Sequence, residues 1–201
     1  MVAFRIIDPT DGQAVPWGNG GGTSRELLGH HDTGGPAGLR RLLWRVSTTE
    51  ILTSCPFSDY AGYSRCITLL SEGGFDLDFG TAAPVATARR YEPLPFSGGW
   101  PTYCHLHGRP AFVLNVMSLS DEARCEMKRV PLRNAATWHC PTDPAVVFCA
   151  AGHFSVGAAG TSRLSRLASG QAVLVTGGAG IDLALRADGC EADAIVISVR
   201  Q

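Results

Sequence analysis

The chain has 201 residues, 45% of them hydrophobic and 17% charged, and its 17 basic side chains against 18 acidic ones leave a formal charge of −1. That length suits one sizeable core or two small lobes packed together, and the balanced charge offers nothing to attract a phosphate backbone or anionic lipid. No run approaches the roughly 18 consecutive apolar residues of a membrane span, and Met1–Asp8 lacks the apolar centre of a secretory signal, so a cytoplasmic protein without nucleic-acid or membrane partners is expected.

In chain order, the first informative element is Pro16–Leu27, where Gly20, Gly21 and Gly22 leave backbone bare beside Asn19, Thr23, Arg25 and Glu26. Glycine permits close approach of backbone to a bound group, and an arginine can hold a carboxylate in a two-pronged fork. A surface turn leading into a strand accounts for the same residues. Residues 30–39 and 80–89, rich in Gly, Ala and Pro, are expected to be loops. Short apolar or alternating runs predict strands at Arg40–Thr48, Cys66–Ser71, Phe75–Phe79, Phe112–Ser118, Val146–Ala150, His153–Val156, Ala172–Thr176, Ile181–Leu185 and Ala194–Arg200. No apolar stripe of helical period is sustained anywhere, so the fold class is all-β. Leu70–Leu77 and Val175–Leu183 echo each other as strand, glycine turn, strand, which predicts two hairpins in related lobes. The seven cysteines are an odd number without a Cys-x-x-Cys pair, and several lie in apolar runs, as buried reduced thiols would.

Trp17-Gly18-Asn19-Gly20-Gly21-Gly22-Thr23-Ser24-Arg25-Glu26 resembles the N-terminal signature of the HutD/Ves family. Trp44-Arg45-Val46-Ser47 and Phe57-Ser58-Asp59-Tyr60-Ala61-Gly62-Tyr63-Ser64-Arg65 resemble its second block. Phe96-Ser97-Gly98-Gly99, Cys104-His105-Leu106 and Leu114-Asn115-Val116-Met117 resemble the middle segment, with Gly99 and Val113 standing where the family usually carries acids. The resemblance covers about residues 1–120. It implies a bicupin, two small antiparallel jelly-roll barrels in one chain, with an N-terminal lobe at 1–108 and a C-terminal lobe at 109–201. It also implies association with histidine utilisation, where urocanate and N-formylglutamate are candidate ligands and the role is regulatory or metabolite-limiting, or with stress, as described for Ves members.

The residues themselves offer several kinds of chemistry. His105 and His107 alternate on a strand and could share a metal, supporting an enzyme of isomerase or dioxygenase type, but no glutamate follows in Gly108-Arg109-Pro110-Ala111-Phe112. No metal, cofactor or catalytic residue is therefore expected. Cys104 lacks a basic neighbour placed to activate it. Arg25, Arg45 and Arg65 stand beside short polar residues, and a guanidinium inside a barrel needs an acid or a bound anion; outward-facing arginines bridging to Glu50 or Asp59 are the competing arrangement. Asn115 and Met117 share a face and would form a pocket wall. The expected ligand site is thus Asn19, Gly21, Thr23, Arg25, Glu26, Arg45, Ser47, Ser58, Arg65, Asn115 and Met117, and the expected partner is a small carboxylate metabolite, with homodimerisation left open. A pure interaction module fits less well, because clustered Arg, Asn, Thr and Glu among glycines suit a dry interface poorly.

Overall fold

The computed structural model describes residues 1–32 and 40–201, and every regular element among them is a strand. The strands are β1 (Ala3–Ile7), β2 (Ala14–Pro16), β3 (Gly22–Asp32), β4 (Arg41–Ile51), β5 (Cys55–Pro56), β6 (Tyr63–Leu69), β7 (Phe75–Asp78), β8 (Ala86–Thr87), β9 (Pro93–Ser97) and β10 (Tyr103–Leu106). They continue as β11 (Ala111–Leu119), β12 (Arg124–Leu132), β13 (Ala135–His139), β14 (Ala145–Ala151), β15 (His153–Ala158), β16 (Ser165–Ala168), β17 (Ala172–Thr176), β18 (Asp182–Ala187) and β19 (Ala192–Arg200). No helix among the described residues is long and apolar enough to cross a membrane. Of the loop expected at 30–39, residues 30–32 extend β3 and 33–39 lie outside the described residues; the loop expected at 80–89 holds only the two-residue β8.

The chain divides into two compact units, residues 12–125 and residues 1–11 with 126–201. This differs from a boundary at 108/109, because β11 pairs along its length with β4 and β6 and so belongs to the first unit. The first unit has a six-stranded sheet, β2-β3-β4-β11-β6-β9, and a four-stranded sheet, β5-β10-β7-β8. The second has a five-stranded sheet, β1-β17-β14-β19-β12, and a four-stranded sheet, β13-β18-β15-β16. Shifting the strand number by eight turns β4-β11-β6-β9 into β12-β19-β14-β17 and β5-β10-β7-β8 into β13-β18-β15-β16. The two units therefore share one topology, to which β2 and β3 are added at one edge of the first and β1 at the other edge of the second.

The glycine echo does not correspond to this repeat, and neither copy is a hairpin. β6 and β7 lie in different sheets, as do β17 and β18, so each glycine segment is a corner from one sheet to the other. The corners also occupy different places in the repeat, since the counterpart of β6–β7 is β14–β15. In the first corner glycine serves close approach and not positive φ: a Cβ on Gly73 would stand 2.6 Å from the Pro110 carbonyl oxygen. In the second, Gly177 and Gly180 do have positive φ, at 67° and 77°.

Alternation accounts for the cores. In the second unit Val147 and Cys149 of β14, Val173 and Val175 of β17, and Leu183 and Leu185 of β18 meet in one apolar cluster. In the first, Phe75 and Leu77 of β7 pack with Ile51, Ile67, Leu69 and Val113 of the larger sheet. β12 was not apparent from sequence because charged residues interrupt its apolar ones and Pro131 lies within it; as the last strand of its sheet it tolerates both.

Asp8, just beyond β1, joins the N-terminal segment to the second unit. Its carboxylate accepts hydrogen bonds from the Thr10 hydroxyl (2.5 Å), Gln171 Nε2 (2.9 Å) and the Thr10 backbone N–H (2.9 Å). These bonds favour the ionised form and hold its pKa down at about 2. A carboxyl whose folded pKa lies below its unfolded value contributes stability that is complete above roughly pH 4 and lost on acidification towards pH 2. An NMR titration should place the Asp8 midpoint near 2, and Asp8→Asn should remove that part of the acid destabilisation; an unshifted midpoint would show that the three bonds do not hold in solution.

Candidate functional site

The six-stranded sheet of the first unit turns a graded face inward. Register sets it out in rows across β4, β11 and β6: Thr49, Val113, Leu69; then Ser47, Asn115, Ile67; then Arg45, Met117, Arg65. The apolar end joins the core, and the face as a whole borders a cavity of about 340 Å³ that Ile51, Ile67 and Val113 line at that end. Arg45, Arg65, Ser47, Asn115 and Glu26 line it from the sheet, and Trp17, Phe57, Ser58 and Tyr60 line it from the loops.

Arg65 is the most constrained of these. Its guanidinium carbon lies 4.9 Å from the ring centre of Phe96, 5.1 Å from that of Phe57 and 5.6 Å from that of Tyr60. Its Nη2 donates to Asn115 Oδ1 at 3.2 Å. Removal from water, with a smaller contribution from the Arg45 charge, pulls its pKa down to about 10. Arg45 Nη2 rests 3.2 Å from the Met117 sulfur. Neither guanidinium has an acid within ion-pair distance among the described residues, and the buried Nε of each lacks a hydrogen-bond partner. Aromatic faces and a thioether give partial compensation, well short of a carboxylate.

Strand alternation divides the predicted residues. In β3, Ser24 and Glu26 face the cavity. Thr23 and Arg25 do not line it, and the Arg25 guanidinium donates to the Gly12 carbonyl. Asn19 also lies outside the lining: its Nδ2 donates to the Pro56 carbonyl at 3.1 Å and its Oδ1 accepts from the Gly21 N–H at 3.0 Å, so it joins two loops. Gly21 backs onto Cys55, whose sulfur would stand 2.5 Å from an added Cβ. Met117 is fully buried between the two arginines, beneath the cavity and not in its wall. Glu26, Arg45, Ser47, Ser58, Arg65 and Asn115 are brought together. Sequence reasoning gave no site role to Trp17, Thr49 or Tyr60. Trp17 Nε1 donates to Ser24 Oγ at 2.8 Å, and Ser24 Oγ meets Thr49 Oγ1 at 2.9 Å, so these residues form a hydrogen-bonded side wall. Thr49 was accessible from alternation with Arg45 and Ser47; the Trp17 and Tyr60 loops carried no such signal.

His105 and His107 lie on the exposed face of β10 and its end, away from this cavity. His107 Nε2 is 3.1 Å from Asp76 Oδ2 and His105 Nε2 is 4.0 Å from Asp78 Oδ2. No group of three or more potential metal-ligating side chains forms among the described residues. Cys104 points the other way, into the core.

The sequence model of the HutD family matches residues 10–192. The chain belongs to the HutD family. Protein Ves of Citrobacter koseri is 34% identical over 143 residues, which is 70% of either chain. The structure of HutD from Pseudomonas fluorescens SBW25 is similar at a TM-score of 0.80 with 24% identity, covering 99% of this chain and 100% of that one. A cupin 2 conserved barrel domain protein from Leptotrichia buccalis, with 10% identity and a TM-score of 0.57 over 98% of this chain and 96% of that one, shares the fold. The HutD fold in this chain is thus all-β, antiparallel and cupin-like.

Burial raises the thiol pKa of Cys66, Cys104, Cys125 and Cys149 to about 12 in each case, which leaves almost no thiolate at neutral pH. Cys190 is the one exposed cysteine. A thiol reagent should therefore label Cys190 rapidly in the native protein and the remaining cysteines only on unfolding; fast labelling in a Cys190→Ser variant would show that a core thiol is accessible.

Proposed function

We propose that this HutD-family chain is a cytoplasmic two-lobed cupin, each unit one jelly-roll, that binds a small carboxylate metabolite in residues 12–125. The observation that carries this reading is the presence of Arg45 and Arg65 on one cavity wall with no acid among the described residues paired to either. A buried cation without a counter-ion is costly, and a carboxylate held by charge-assisted hydrogen bonds removes that cost. Hydroxyls of Ser47 and Ser58 and the Trp17 and Phe57 rings would orient the rest of the ligand. Urocanate-like and N-formylglutamate-like acids are the candidates that family membership supports, with a regulatory or metabolite-limiting role in histidine utilisation.

Calorimetric titration with urocanate, N-formylglutamate and simple carboxylates tests this. At least one acid should bind, and Arg65→Ala should weaken it roughly tenfold to a hundredfold, as expected for a hydrogen bond to a charged group worth about 1.5–3 kcal/mol. Arg65→Lys should also weaken it, because an ammonium cannot reproduce the planar fork. Affinity should be level through neutral pH, because both guanidiniums keep their charge there. Unchanged affinity in Arg65→Ala and Arg45→Ala, or no binding of any acid, would refute the proposal.

A further inference from the structure

Three charged side chains line the cavity, and they do not cancel: Arg45 and Arg65 against Glu26 leave a single excess positive charge. Glu26 is not engaged elsewhere. It has no ion-pair partner within 4.0 Å among the described residues, and its carboxylate folds over Gly29, where an added Cβ would stand 2.7 Å from Oε1. Gly29 is the cross-strand neighbour of Arg45, and Glu26 is the neighbour of Ser47. The carboxylate therefore sits beside the row that carries the arginines, on the Arg45 side, at a place that only a glycine leaves free.

The two cations are consequently unequal. Arg65 is enclosed by Phe57, Tyr60 and Phe96 and fixed by Asn115, with no acid within 4.0 Å among the described residues. Arg45 shares its surroundings with Glu26. One ligand carboxylate would complete the charge balance. A second would have to share Arg45 with Glu26, lie against Ile51, Ile67 and Val113 at the apolar end, where an uncompensated charge is strongly disfavoured, or leave by the exposed side of the lining, where the Glu26 carboxylate itself stands with Gln13 and Val15. The hydroxyls of Ser24 and Thr49 are already bonded to each other.

We infer that this cavity selects small monocarboxylates over dicarboxylates of the same shape, and that Glu26 is the residue that sets the limit. This rests on the carboxylate-receptor reading and narrows it to acids with one negative charge and a neutral polar or cationic far end, which keeps urocanate-like acids and drops N-formylglutamate, a dianion, from the candidates.

Isosteric ligands separate charge from shape. Glutarate and its monoamide, and succinate and its monoamide, would be titrated calorimetrically into the full-length protein and into Glu26→Gln at pH 7.5 and constant ionic strength, with urocanate as an independent probe of binding. The wild type should bind each monoamide at least tenfold more tightly than its diacid, and Glu26→Gln should bring the two within about threefold by strengthening the diacid. Equal or tighter binding of the diacids by the wild type overturns the inference and leaves the carboxylate receptor standing. An unchanged ratio in Glu26→Gln removes Glu26 as its cause. Binding of urocanate with no measurable binding of either monoamide also overturns it, since charge would not then be the discriminator. Failure of every acid, urocanate included, refutes the receptor reading itself.

Discussion

The first unit is organised around a positive charge taken out of water. Arg65 is half-buried, and removal of its guanidinium from water holds its pKa below the ordinary arginine value. Three aromatic rings and one amide oxygen supply what compensation there is, and Nε remains without a partner. Other features follow from this desolvation. Asn115 is only 5% exposed, its side-chain oxygen used by the guanidinium. Met117 is buried between two arginines, where a polarisable sulfur is a better neighbour than a branched hydrocarbon.

The repeated topology makes the contrast between the units informative. Strand β14, the counterpart of β6, sends Ala145, Val147 and Cys149 into an apolar cluster, whereas β6 sends Arg65, Ile67 and Leu69 inward. Strand β19, the counterpart of β11, contributes Ala194, Val196 and Ser198 where β11 contributes Val113, Asn115 and Met117. One strand order thus supports both an apolar interior and a polar cavity. The difference lies in a few inward positions on the central strands, and fold alone does not decide which unit carries a site.

The glycine-rich motif at 18–22 serves the cavity indirectly. Gly20 takes positive φ in the turn, Gly21 gives way to Cys55, and Asn19 joins this loop to the carbonyl of Pro56. The result fixes Trp17 edge to face with Phe57 at 5.8 Å, and those two rings line the cavity. Asn19, the motif's one polar side chain, is occupied by the scaffold, and the preceding Trp17 reaches the cavity.

Much of the fold was legible in the sequence. Short alternating runs determined an all-β chain and located the central strands, because side-chain alternation in a half-buried strand is a local property. The family motifs, the absence of a glutamate after His107 and the buried character of the cysteines were likewise local. Alternation also placed Arg45 with Ser47 on one face and Asn115 with Met117 on another strand's face. It did not show that Arg25 would be spent on a backbone carbonyl while Arg65 entered an aromatic enclosure, since both follow from which strands become neighbours. The glycine segments read as hairpins because the letters of a hairpin and of a corner between sheets are the same; only the pairing of β6 with β11 and of β7 with β10 distinguishes them. Composition, period and motif are carried by the chain one residue at a time. Register, the shared row of Arg45, Met117 and Arg65, and the unbalanced charge of the cavity exist only once distant strands are hydrogen-bonded side by side.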